Sequence, residues 1–232
     1  MGKYDEYKKI VLNACKKMVN LGYVVAGGSG GNISVRIEGE EAVAVSPSNK
    51  DYLTLEQDDI CIVDYDLQRI DAKYNPSVET KMHNAVYKTR LDVNAIVHTH
   101  QPYASIFSII NEPIPALFDE QVVNIGDVIE IIPYAMSGSV ELLEKVVSKI
   151  DNNCNAFIIQ NHGVLGLGIN IDAAFRSVGL MEKVARVYYY ALTLNKPISK
   201  LPEKETKAFF KFLKSEQRSE IRKKKKDTNK NE

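Results

Sequence analysis

The chain has 232 residues, 44% hydrophobic and 26% charged, with a formal net charge of zero, the balance of a soluble globular protein with one well-buried domain. No apolar stretch reaches the length of a membrane span and no basic region precedes an apolar signal core, so a cytoplasmic protein is expected. Cys15, Cys61 and Cys154 are odd in number and far apart, which argues for free thiols rather than a disulfide framework or thiolate metal site.

In chain order, Tyr7, Ile10, Val11, Ala14 and Met18 recur at helical spacing and predict an amphipathic helix over residues 4–20, stopped at Gly22. Gly27-Gly28-Ser29-Gly30-Gly31-Asn32 reads as a flexible loop; it lacks the Gly-Lys-Ser/Thr continuation of a nucleotide phosphate loop. Strands follow over Ile33-Ser34-Val35-Arg36-Ile37, Ala42-Val43-Ala44-Val45 and Cys61-Ile62-Val63-Asp64-Tyr65, with a turn at Gly39 and a loop at Ser46-Pro47-Ser48-Asn49. A helix is predicted from Pro76 to about Arg90, with Val78, Met82, Ala85 and Val86 inward. Asn94-Ala95-Ile96-Val97 is a short strand, and Pro102 opens a helix through Ile110.

Val128 to Ile132 and Ala156-Phe157-Ile158-Ile159 read as strands, with a helix from Ser139 to Ile150 between them. Val164-Leu165-Gly166-Leu167 is the last strand. Asn170 or Asp172 caps a long helix to about Asn195, and a further helix spans Glu203 to Leu213. Lys214 through Lys230 is basic and lacks interleaved aromatics. It reads as a solvated, disordered tail rather than a nucleic-acid or lipid contact. The alternation predicts an α/β domain of the α+β type over residues 1–200: three layers, with a central, mostly antiparallel sheet flanked by helices. Residues 201–232 would be a C-terminal helix and the basic tail.

His98-Thr99-His100 ends the strand at residues 94–97. Residues two apart on a strand share a face, so both imidazoles leave one side, about 6–7 Å apart at the backbone. His162 ends a second apolar run, in Gln160-Asn161-His162-Gly163. Three histidines leave a zinc-like ion one ligand short, and a carboxylate is a common fourth partner. Glu79, expected in the first helical turn after Pro76, is the candidate, favoured there by the helix dipole. His83, four residues on, reads as a packed histidine. The same helix start is a natural phosphate site, to which Ser77, Gly31-Asn32 and Ser46-Pro47-Ser48 could add donors.

These phrases resemble the class II aldolase and adducin-head superfamily, nearest to its fuculose-1-phosphate aldolase branch, across residues 4–195. The resemblance rests on Gly31-Asn32-Ile33-Ser34, Ser46-Pro47-Ser48, Pro76-Ser77-Val78-Glu79 with His83, His98-Thr99-His100 and Asn161-His162-Gly163, in the family's order and spacing. It implies a divalent metal, usually Zn2+, held by His98, His100, His162 and, in the resting enzyme, Glu79. Glu79 would leave the metal when substrate chelates and act as acid/base. Gly31, Asn32, Ser46, Ser48 and Ser77 would bind the substrate phosphate. The implied activity is cleavage of a short ketose 1-phosphate to dihydroxyacetone phosphate and an aldehyde, through a metal-stabilised enediolate, in a homotetramer with sites between subunits.

Three departures stand out. Val78 occupies a place where some relatives have a second hydroxyl residue, and Asn49 a place where some have Gly. The acid/base Tyr of the fuculose-phosphate branch is missing from Phe118-Asp119-Glu120-Gln121, so Asp119 or, preferably, Glu120 would substitute. The same metal site also serves pentulose-5-phosphate epimerisation and methylthioribulose-1-phosphate dehydration, and adducin heads keep the fold as a non-catalytic module. No nucleic-acid or membrane partner is expected.

Overall fold

In a computed structural model, described over residues 2–25 and 30–231 with side chains through residue 226, eight strands form one sheet in the order β4-β3-β2-β1-β5-β8-β7-β6. The strands are β1 (Gly31–Arg36), β2 (Ala42–Val45), β3 (Cys61–Asp64), β4 (Arg69–Asp71), β5 (Ala95–Thr99), β6 (Glu130–Ile132), β7 (Ala156–Ile159) and β8 (Gly163–Gly168). All neighbours are antiparallel except β6 and β7, in agreement with the expected three-layer α/β architecture. Helices α1 (Asp5–Asn20), α3 (Pro102–Ile110) and α6 (Ile171–Thr193) cover one face, where Val11, Met18, Val97, Phe107 and Val184 share a core. Helices α2 (Thr80–Thr89) and α5 (Val140–Lys149) cover the other, with Val86, Ile96, Val146 and Leu165. Alternate residues of β5 thus feed two separate cores, because successive strand side chains point to opposite faces.

Capping explains several boundaries. The Ser139 hydroxyl accepts from Leu142 N at 3.1 Å and starts α5. Asn170, rather than Asp172, caps α6 by accepting from Ala173 N at 2.8 Å.

Two expectations need correction. The helix expected from Pro76 begins at Thr80, because Pro76 bridges Pro47 and Ser77 N donates to Ser46 O at 3.1 Å. That pairing holds residues 75–77 extended, as the residue before a proline prefers. The expected disordered tail is instead helical: α7 runs Glu203–Asn231. Leu213, Gln217, Glu220 and Lys224 fall on one helical face. Leu213 is buried, while Gln217, Glu220 and Lys224 bond to Asn155, Asn94 and Leu91 O. The short β4 and helix α4 (Asp119–Asn124) carried no sequence signal. Gly27, Gly28 and Ser29 lie outside the described residues.

Candidate metal centre

A polar ladder joins β1 to α2. Asn32, Ser34 and Arg36 share one face of β1, two residues apart, while Glu79, His83 and Tyr87 are spaced by four. Two strand residues advance about 6.6 Å and four helical residues about 6 Å, so the rungs match. Asn32 Nδ2 donates to Glu79 Oε2 at 2.7 Å. Ser34 Oγ bonds His83 Nδ1 and the Tyr87 hydroxyl, both at 2.8 Å. Arg36 donates to the carbonyls of Tyr87 and Arg90 at 2.6 and 3.2 Å. Burial pushes His83 down to about 3, so it is a neutral, packed histidine. Glu79 sits at the N-cap position of α2, not in its first turn, but still at the positive end of the helix dipole.

The register places His98 directly opposite Asn32 on β1 and Leu165 on β8. His98 Nδ1 lies 2.8 Å from the Val164 carbonyl. A carbonyl only accepts, so Nδ1 carries the proton and a neutral His98 presents a lone pair at Nε2. That nitrogen is 3.2 Å from His100 Nε2 and 3.2 Å from Glu79 Oε2. Asn161, at φ 53, turns the chain after β7, and His162 Nε2 comes 3.4 Å from Glu79 Oε1. The three rings meet edge to face at centroid distances of 4.8–5.2 Å. Gly163 makes this possible: a Cβ there would lie 2.4 Å from His100 Cδ2 and 2.6 Å from Thr99 O.

Burial, reinforced by the neighbouring imidazoles, pushes His100 down to about 3. Burial and His98 push His162 to about 4. Both are therefore neutral at pH 7, with lone pairs available. Burial alone would raise the pKa of Glu79. Attraction to His98 and His162 in their protonated forms, then hydrogen bonds from Asn32 and Ser137, outweighs it, and the two hydrogen bonds still favour the carboxylate when the rings are neutral. Ligand atoms of His98, His100 and His162 all lie within 4.8 Å of one another, and His162 Nδ1 is buried without a partner. Facing imidazoles beside one carboxylate are a donor set that suits a divalent cation.

The phosphate candidates divide. Ser46 is fully buried, and its hydroxyl is engaged by Ile33 N at 3.2 Å and Tyr52 OH at 3.3 Å; it braces the loop rather than offering a free donor. Ser77 Oγ accepts from Glu79 N at 3.3 Å, and half-buried Ser48 is tied through its backbone N to Asn75 O at 2.9 Å. The loops bearing Ser48 and Ser77 are thus side by side. Gly31 pairs with Thr99, and its carbonyl accepts from Tyr52 OH. Asn32 engages its amide nitrogen with Glu79. Asn49 adopts φ 54, a left-handed conformation that Asn tolerates well, so the turn survives without Gly. Asp119 and Glu120, at the exposed start of α4, are not brought into the cluster by this chain; Glu120 pairs with Lys183. Sequence reasoning missed Ser137, whose hydroxyl donates to Glu79 Oε1 at 2.8 Å. It lies 58 residues from Glu79, in a loop without periodicity.

Residues 9–189 match the family described as Class II Aldolase and Adducin N-terminal domain. The chain belongs to this family. The match includes every candidate site residue and stops short of α7. A 5-deoxy-D-ribulose 1-phosphate aldolase of Bacillus thuringiensis serovar kurstaki is 32% identical over 190 residues, 82% of this chain and 87% of its own. An L-fuculose phosphate aldolase of Methanocaldococcus jannaschii is 33% identical over 189 residues, 82% of this chain and 99% of its own. The solved structure of an L-fuculose 1-phosphate aldolase superposes with a TM-score of 0.82 at 28% identity, covering 90% of this chain and 96% of that one.

Proposed function

We propose that this protein is a lyase, a class II aldolase that cleaves a short ketose 1-phosphate to dihydroxyacetone phosphate and an aldehyde. The convergence of three imidazoles on the Glu79 carboxylate carries this reading, and the names of its relatives support it. His98, His100 and His162 would hold a divalent cation, Zn2+ by choice of ligands, with Glu79 as fourth ligand; it would act as a Lewis acid toward negative charge on substrate oxygens.

The protein's own groups manage the protons. A base takes the hydroxyl proton of the carbinol as the carbon–carbon bond breaks and an aldehyde forms. The electron pair stays on the three-carbon phosphate fragment, and Glu79, having taken up a proton from solvent on leaving the cation, would protonate its carbon. Ser48, Ser77, Gly31 and Asn32 border the phosphate; Ser46 contributes by bracing the loop. Asp119 or Glu120 would serve as the base from a neighbouring subunit, in a homotetramer with sites between subunits. A cytoplasmic location suits the three unpaired buried cysteines, and no helix among the described residues is long and apolar enough to cross a membrane.

The test is release of dihydroxyacetone phosphate from fuculose 1-phosphate and from 5-deoxyribulose 1-phosphate, with and without chelator. Release from either, abolished by chelator and restored by Zn2+, is expected. A zinc-loaded protein that releases nothing from either, yet epimerises a pentulose 5-phosphate or dehydrates methylthioribulose 1-phosphate, would overturn it.

A further inference from the structure

Each oxygen of the Glu79 carboxylate accepts one hydrogen bond and faces one imidazole. Oε2 takes Asn32 Nδ2 and faces His98; Oε1 takes Ser137 Oγ and faces His162. The two non-histidine donors have different origins. Asn32 is buried on β1, whereas Ser137 is exposed, in the loop between β6 and α5.

That loop is tied to both segments that build the site. Tyr134 N donates to Gln160 Oε1 at 3.1 Å, two residues before His162. Gly138, at φ 75, rests on Val78, beside Glu79; a Cβ there would lie 3.2 Å from Val78 O. Ser139 N closes the loop on Met136 O at 3.0 Å. With their lone pairs turned to a cation, neither His98 nor His162 donates a hydrogen bond to the carboxylate. Among the described residues, Asn32 and Ser137 are then its remaining donors. The terminal torsion of a glutamate is broad, so one donor leaves the carboxylate free to turn and two fix it.

We propose that Ser137 is a positioning residue: its hydroxyl sets the rotation of the Glu79 carboxylate toward the metal ligands. This rests on the reading of Glu79 as a ligand and acid/base. Partners outside the coordination sphere orient the ligands, and losing one typically costs 10–100-fold in metal affinity or activity.

The experiment compares Ser137→Ala, Ser137→Thr and Met136→Ala, an exposed loop neighbour, with the wild-type protein. Zn2+ affinity is read by chelator competition, the coordination sphere by the visible spectrum of the Co2+-loaded protein, and kcat and KM on the ketose 1-phosphate that the wild type cleaves. Ser137→Ala should weaken Zn2+ binding about tenfold or more, alter the Co2+ spectrum and lower kcat with KM within about twofold. Ser137→Thr, which keeps the hydroxyl, should restore all three, and Met136→Ala should match wild type. Wild-type affinity and spectrum in Ser137→Ala, or a Thr variant as impaired as Ala, would overturn the proposal. Wild-type protein that binds no metal would sink the reading of the site itself and this proposal with it. Metal binding without cleavage would sink only the substrate, and the affinity and Co2+ arms would still decide.

Discussion

Strands β5 and β7 run in the same direction on either side of β8, and each carries polar residues at both ends; the two ends are built in opposite ways. Before β5 and β7 lie Arg90, Asp92 and Asn155, all buried. Arg90 uses all five of its donors: two on Asp92 at 2.9 and 2.7 Å, one each on the carbonyls of Ile150 and Cys154, and one on Asn155 Oδ1. Gln217 of α7 adds a bond to Asn155 at 3.1 Å, and its own Oε1 is the one atom of this cluster buried without a partner among the described residues. At the other end of the same strands lie His98, still within β5, and His100 and His162 just beyond β5 and β7, whose nitrogens converge with too few protons to satisfy one another. Thr99 Oγ1, both polar atoms of Gln101 and His162 Nδ1 are buried there without partners. A buried polar cluster that satisfies itself supports the fold; one that leaves lone pairs facing each other is prepared for a group the chain does not supply.

That contrast can be broken from either end. His98→Asn keeps an amide donor near Val164 O and removes Nε2. It should abolish metal retention and cut kcat/KM roughly a thousandfold or more while the far-ultraviolet circular dichroism stays that of wild type. Arg90→Ala should do the reverse. It leaves Asp92 buried and unpaired, at a cost of about 3–5 kcal/mol in denaturant unfolding, with Zn2+ affinity unchanged. Gly163→Ala places a methyl against His100 and should displace that ring, weakening Zn2+ binding about tenfold at a stability cost of roughly 1–3 kcal/mol. Truncation after Leu213 removes the Gln217, Glu220 and Lys224 bonds. It should lower stability by about 1–3 kcal/mol and leave turnover intact; loss of turnover would tie α7 to the site.

The last effect is graded with pH. In the metal-free protein, His83, His100 and His162 have folded pKa values of about 3, 3 and 4, below the 6.5 of an ordinary histidine. The unfolded chain therefore binds more protons as pH falls from 6.5 toward those values. Stability should fall over that window by at most about 1.4 kcal/mol per pH unit for each histidine. A saturating metal should move the onset to lower pH by holding the imidazoles neutral. Unfolding midpoints at pH 7, 6, 5 and 4, with and without Zn2+, would check both slopes.

Much of the site was legible because its elements are short and punctuated. His98 and His100 flank the end of an apolar run, and Asn161-His162-Gly163 ends another. What was illegible depended on residues without periodicity. Ser137 lies in an irregular loop. The docking face of α7 beyond Leu213 is polar, so an apolar stripe could not reveal it. Alternation in β1 ordinarily signals one wet face, yet Asn32, Ser34 and Arg36 are covered by α2 through matched hydrogen bonds.

By itself the sequence determined the α/β class, the antiparallel character of the sheet and the identity of the three histidines, because apolar period and strand-end position are local properties. Only the tertiary structure decided where α2 begins, that α7 straps the far end of the sheet, and which donors hold Glu79. Each of those depends on hydrogen bonds between residues tens of positions apart, and burial, not local propensity, makes such bonds obligatory.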